Sequence, residues 1–297
     1  MIEGYNCFPK LYKIYEDPVD KITVETYCDL YNFSNPYVGL NGYVESEDKN
    51  YILNSSFTWE EIITPTDPLL TPYVTFIAEQ SASTLGLQNK FTDHTLEYST
   101  DKSTWNALNT STTVTLANIG DEVYVRGIWL DTRNNFNQYA STQFKMTGQF
   151  KVEGNAKALW DYTNLEAPLA KGCGEDMFRT CRALRHAGDL LLPDTTLSDH
   201  CYQNMFDSCS TLEAAPRLLA TYLPLEAYTG MFNNGGGAKM TEIYILANGM
   251  VSGGQSLYAW NSGLPGSNFT CYKYYGSSWI TTYGKSTWNY VDYGIVD

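Results

Sequence analysis

One stretch decides what this chain can fold into. Residues 173–184 align without a gap on residues 201–212, matching Cys173 with Cys201, Met177-Phe178 with Met205-Phe206, Cys181 with Cys209 and Leu184 with Leu212. The pairing runs on through Leu190 and Leu218, Leu191 and Leu219, and Leu197 and Leu225. A third Met-Phe pair, Met231-Phe232, arrives after a slightly shorter step, and the glycine-rich insertion 233–237 restores the phase so that Met240 falls where Leu212 did. Leu169 precedes Leu197 by the interval that separates Cys173 from Cys201, an incomplete unit ahead of the first full one. A period of this length marks units too small to bury an apolar face alone, so neighbours must stack into one core. The spacing predicts a short solenoid over 156–247 with Met177, Phe178, Leu184, Met205, Phe206 and Leu212 pointing inward.

The second unit carries further marks: Cys201-Tyr202, Met205-Phe206, Cys209, Leu212, Ala215-Pro216, Leu219-Ala220-Thr221 and Leu223. It resembles the BspA-like leucine-rich repeats of gut and oral bacterial surface proteins and of phages that infect such bacteria. The chain departs from the family pattern at Gly188, where the proline is missing, and at Leu223-Pro224-Leu225, where it is displaced. Leu246-Ala247, Trp260, Phe269, Trp279 and Trp288 to Val291 resemble the family's closing segment. The resemblance implies a phage virion protein, a tail or head-fibre component of a crAss-like or other gut-bacterial phage, with a bacterial cell-surface adhesin as the alternative.

Around the repeats the chain reads as β structure. Ile22 to Tyr27 alternates apolar and polar residues, Tyr51-Ile52-Leu53 and Phe57-Thr58-Trp59 are further strands, and Asn41-Gly42 predicts a hairpin turn. Residues 64–72 hold three prolines and read as a stiff, extended linker. Strand candidates at 73–78, 96–99, 114–116, 123–129 and 144–148, with turns between them, predict an Ig-like β-sandwich. Leu96 to Asp101 with Trp105, and Asn118 to Tyr124, resemble the sandwich that often precedes BspA-like repeats. The expected layout is therefore mainly β, with an N-terminal attachment module over 1–70, a sandwich over 71–153, repeats over 154–249 and an aromatic-rich cap over 250–297.

Composition then narrows the partners. Only 18% of residues are charged and the net charge is −14, which disfavours nucleic acid and anionic membrane surfaces, since both attract Lys and Arg. No apolar run is long enough to offer a membrane span. Residues 1–10 lack the basic and apolar regions of an export signal, and with Met1 as the native start this favours a virion protein over an exported adhesin. Other virion proteins are the expected partners of residues 1–70, in a homo-oligomer, because so short a module makes a marginal core alone. The repeat cysteines are not spaced for zinc and read as small apolar residues of the stacked core.

The cap is dense in aromatics, from Trp260 to Tyr293. Closing the last repeat requires some of them; the others predict exposed platforms for sugar rings, whose apolar faces stack on indole and phenol groups. Trp279, Tyr275, Tyr274 and Trp260 are the candidate ligand-binding residues for a host surface glycan or protein. No catalytic residue, metal ligand or cofactor is assigned. His186, at a variable repeat position, reads as solvent-exposed. Glu175, Asp176, Asp189, Asp194, Asp199 and Asp207 supply carboxylates that a glycan-degrading tail enzyme would need in pairs, though solvated surface charges are the plainer reading.

Overall fold

The computed structural model describes residues 69–129, 141–251, 255–275, 277 and 283–293, together with strand segments 16–17, 21–24, 41–44, 49–53 and 59–62. The protein is mainly β, and its described strands form open sheets. It divides into two compact units, Met1–Asp67 and Pro68–Asp297, and the break falls inside the proline-rich stretch.

The first unit holds one five-stranded sheet in chain order: β1 (Glu16–Asp17), β2 (Lys21–Val24), β3 (Asn41–Val44), β4 (Lys49–Leu53) and β5 (Trp59–Ile62). Strands β2 and β3 run parallel; the other neighbours are antiparallel. Asn41-Gly42, expected as a turn, instead lies in β3, opposite Ile52 and Tyr51. Strands β3 and β4 pair antiparallel, so Asn41 and Gly42 serve as ladder positions.

The second unit begins as two facing antiparallel layers. One contains β6 (Val74–Ala78), β8 (His94–Ser99), β9 (Asn106–Ala107), β11 (Glu122–Trp129) and β13 (Phe150–Asn155); the other contains β7 (Ser83–Asn89), β10 (Thr113–Leu116) and β12 (Gln143–Thr147). Phe76 of the first meets Phe144 of the second at 4.8 Å between ring centroids. Sequence reading missed β7 because Gly86 interrupts its alternation; a Cβ there would sit 2.7 Å from the Thr112 carbonyl oxygen, so close strand pairing requires glycine. Gly127 is similarly required: the short helix α1 (Ala158–Asp161) rests on it, with the Leu159 carbonyl oxygen 2.3 Å from where a Cβ would be. Buried His94 ties the same helix down, its Nε2 donating to the Leu159 carbonyl at 2.7 Å and its Nδ1 accepting from Thr142 Oγ1 at 2.9 Å. Burial holds its pKa down at about 4.

Strand β13 converts one architecture into the next. It pairs antiparallel with β6 on one side, and on the other it runs parallel to β14 (Leu184–His186) and β15 (Leu190–Leu191). Three rows of backbone hydrogen bonds then link successive tiers. Asp176, Phe178 and Thr180 donate to Gln203, Met205 and Asp207; Asn204, Phe206 and Ser208 donate to Thr229, Met231 and Asn233; Tyr228, Gly230 and Phe232 donate to Ser256, Tyr258 and Trp260. The first two rows reproduce the steps read from the sequence. The third adds a fourth tier that sequence reading did not register, with Trp260 standing where Met231 does one tier earlier. The ladder places Asp176, Asn204, Gly230 and Ala259 at equivalent positions, all with positive φ, which Asn, Asp and Gly accept at least cost.

Inside the tiers, Phe76, Phe144, Phe178, Phe206 and Phe232 form one continuous column at centroid steps of 4.8, 5.4, 5.5 and 5.6 Å. The expected inward set, Met177, Phe178, Leu184, Met205, Phe206 and Leu212, is fully buried. Cys173, Cys181, Cys201 and Cys209 are buried free thiols, and Cys209 donates to the Phe178 carbonyl at 2.9 Å, so they pack as small apolar groups. A single hydrophobic core runs from Val74 to Trp288. Residues 68–297 form one compact unit, in which β13 joins the facing sheets to the first tier.

Candidate functional site

The last tiers end in a three-stranded parallel sheet of β17 (Glu242–Ile245), β19 (Thr270–Tyr274) and β20 (Asn289–Tyr293). Alternation sends Ile243, Ile245 and Cys271 into the core and leaves Tyr244 and Tyr272 on the other face. Register sets Tyr244 directly opposite Tyr272. Parallel neighbours in register stand one strand spacing apart, so identical aromatics stack face to face; these rings are 4.3 Å apart and 6° from parallel. The Arg217 guanidinium lies 4.8 Å from the Tyr244 ring centroid. Desolvation, then the charge of Glu242, raises the Tyr244 pKa, so its hydroxyl stays protonated at neutral pH and can donate as well as accept. The result is a half-exposed aromatic stack in which Tyr244 lies between the Tyr272 ring and the Arg217 guanidinium.

Two of the four sequence candidates join or border this face. Tyr274 is half-buried at the end of β19, two positions beyond Tyr272 and so on the same side of the strand. Tyr275 follows it and is 60% exposed. Trp260 is corrected by the structure: it is 1% exposed, takes the inward position held by Met177, Met205 and Met231, and donates its indole N–H to the Tyr283 carbonyl at 3.0 Å. It closes the core and cannot be a binding platform. Trp279 lies outside the described residues. Arg217, Tyr244 and Tyr272 were not selected from sequence, although Tyr244 and Tyr272 stand one full repeat period apart, as Cys173 and Cys201 do.

No family model, curated protein or solved structure matches the chain. Its chemistry is therefore read from its own geometry.

That geometry also revises the charged candidates. His186 is not free in solvent: its Nδ1 lies 2.6 Å from Glu79 Oε1, next to the end of β6, and its Nε2 3.5 Å from Glu213 Oε2. Glu175, Asp176 and Asp207 are buried, not solvated. Arg179 bridges two of them across tiers, at 3.6 Å from Asp176 and 3.2 Å from Asp207, and burial raises the Asp176 pKa. Asp189 pairs with Lys151 at 2.7 Å, and Asp199 accepts from the Leu225 backbone at 3.1 Å. Asp176 and Asp207 thus tie neighbouring tiers through Arg179, whereas the Asp189 and Asp199 side chains remain largely solvated, as the sequence suggested.

Proposed function

We propose that the chain is a phage virion structural protein, a tail or fibre component whose repeat tiers attach to a carbohydrate on the host surface. On this reading the tiers are a short BspA-like leucine-rich-repeat solenoid, the two facing sheets before them are an Ig-like sandwich, and residues 1–67 join the particle. One observation carries the attachment role: the stacked Tyr244–Tyr272 pair with Arg217 over it, held half-exposed on a rigid parallel sheet. The exposed edges of the stack give apolar contact to sugar rings, and the tyrosine hydroxyls and the guanidinium supply hydrogen bonds to sugar hydroxyls. Rigid strands keep the platform preorganised, which lowers the entropic cost of binding. The net charge of −14 supports a neutral ligand over a phosphorylated one.

Two measurements test the reading. The chain should co-purify in fixed stoichiometry with phage particles, and the purified protein should compete with those particles for adsorption to host cells. Absence from particles removes the virion role; presence without competition removes the attachment role.

A further inference from the structure

Two parallel strands deliver Lys157 and Asp194 to one place. Strand β13 sets Asn155 opposite Leu191 of β15, and both segments run on in the same direction, one to Lys157 at the head of α1 and the other to Asp194 after Pro193. The backbone of Lys157 is fixed: its N–H donates to Asn155 Oδ1 at 3.0 Å, and its carbonyl accepts from Trp160 at 2.9 Å and Asp161 at 2.8 Å. Lys157 Nζ then lies 3.0 Å from Asp194 Oδ1, the oxygen bonded to the carboxyl carbon.

As an ion pair this arrangement is poor. The side chains are only 9% and 12% exposed, where charge is unfavourable unless each group is fully hydrogen-bonded. An ammonium has three donors, and one of those of Lys157 goes to Asp194. Asp194 Oδ2 is buried with no hydrogen-bond partner among the described residues, so neither solvent nor protein stabilises its share of the charge. Burial raises the Asp194 pKa against the opposing Lys157 contact, and the Glu166 charge adds to the rise. An amide in the same place would carry no charge and leave one N–H and one carbonyl, instead of three N–H groups and two oxygens.

We propose that Lys157 and Asp194 condense to an intramolecular isopeptide bond. The ammonium passes a proton to the carboxylate, and the free amine attacks the carboxyl carbon. The Nζ–C bond forms, the C–Oδ1 bond breaks, and Oδ1 departs as water with two of the ammonium protons, so no other reactant is consumed. The water leaves through the open groove that both residues line. Holding amine and carboxyl in contact turns a bimolecular encounter into one internal step, and keeping bulk water from the product disfavours its hydrolysis. The crosslink fastens the first tier covalently beyond the end of β13, the strand that joins it to the facing sheets. It stands whether or not the tyrosine stack binds glycan.

The test is electrospray mass spectrometry of the full chain, purified folded and incubated overnight at neutral pH. Wild type should weigh one water less than its sequence. Trypsin should fail to cut after Lys157 and should release a branched peptide that joins Lys157 to Asp194. Lys157→Arg keeps the positive charge but cannot condense, so it should show its full sequence mass, as should Asp194→Ala. Should either variant fail to fold, the wild-type mass and the branched peptide decide. The proposal is overturned by wild type that stays at full sequence mass, by a water loss mapped elsewhere, such as a succinimide at another aspartate, or by a loss that persists in Lys157→Arg.

Discussion

Replacing Phe206 with Ala tests the tier register more sharply than any other single change. Its ring is fully buried, with centroids 5.5 Å from Phe178 and 5.6 Å from Phe232, nearly parallel to both. Removing it takes a large apolar side chain out of the middle of the column and leaves a void that rigid neighbouring tiers cannot close. Phe→Ala at such sites costs about 3–5 kcal/mol. Two aromatic contacts are lost with it, each contributing roughly 0.5–1.5 kcal/mol, which places the loss toward the upper end. A unit of this size shifts by roughly 2–4 °C per kcal/mol, so the melting temperature should fall by about 6–20 °C. Differential scanning calorimetry on the full chain, following the transition of residues 68–297, measures it. Tyr258→Ala is the control: that side chain is 74% exposed, and its loss should cost no more than about 0.5 kcal/mol. Equal melting temperatures for Phe206→Ala and wild type would mean that the column is not the core.

Two further outcomes follow from the same architecture. His94 is held neutral with its pKa near 4, below its usual 6.5, so the folded state binds fewer protons than the unfolded chain between those values. Stability should therefore be complete above about pH 6.5 and fall by roughly 3 kcal/mol as the pH drops to 4; His94→Gln should flatten that slope in urea titrations, and an unchanged slope would assign the acid sensitivity elsewhere. A chain of residues 68–297 should keep the melting temperature of the second unit, since that unit carries its own continuous core, yet fail to enter particles; normal incorporation would refute a docking role for residues 1–67.

The repeat was legible because its buried positions tolerate few residue types. Met-Phe and Cys recur where side chains stack on their own equivalents, and the hydrogen-bond rows follow the same steps. The fourth tier escaped because Trp260 replaces the methionine and the step from Met231 to Trp260 is longer than those before it, so neither identity nor spacing gave it away. The same substitution made Trp260 look like a surface platform when it is a plug. Strand β13 was missed for a different reason: it pairs antiparallel with β6 on one edge and parallel with β14 on the other, a dual role that local alternation cannot encode. The aromatic face depends on register. Tyr244 and Tyr272 touch only because β17 and β19 pair in parallel with no offset. Gly86 and Gly127 show the converse, where a residue that weakens a strand pattern is present because another backbone passes within contact distance.

The most direct test of the attachment account compares wild type with the Tyr244→Ala, Tyr272→Ala double variant in competition with phage particles for host-cell adsorption, with thermal melting alongside. Both rings are half-exposed, so the fold should survive with a loss of no more than about 1 kcal/mol. The account predicts that wild type blocks adsorption and that the double variant loses at least tenfold in potency while melting as wild type does. Undiminished blocking by a folded double variant would contradict it.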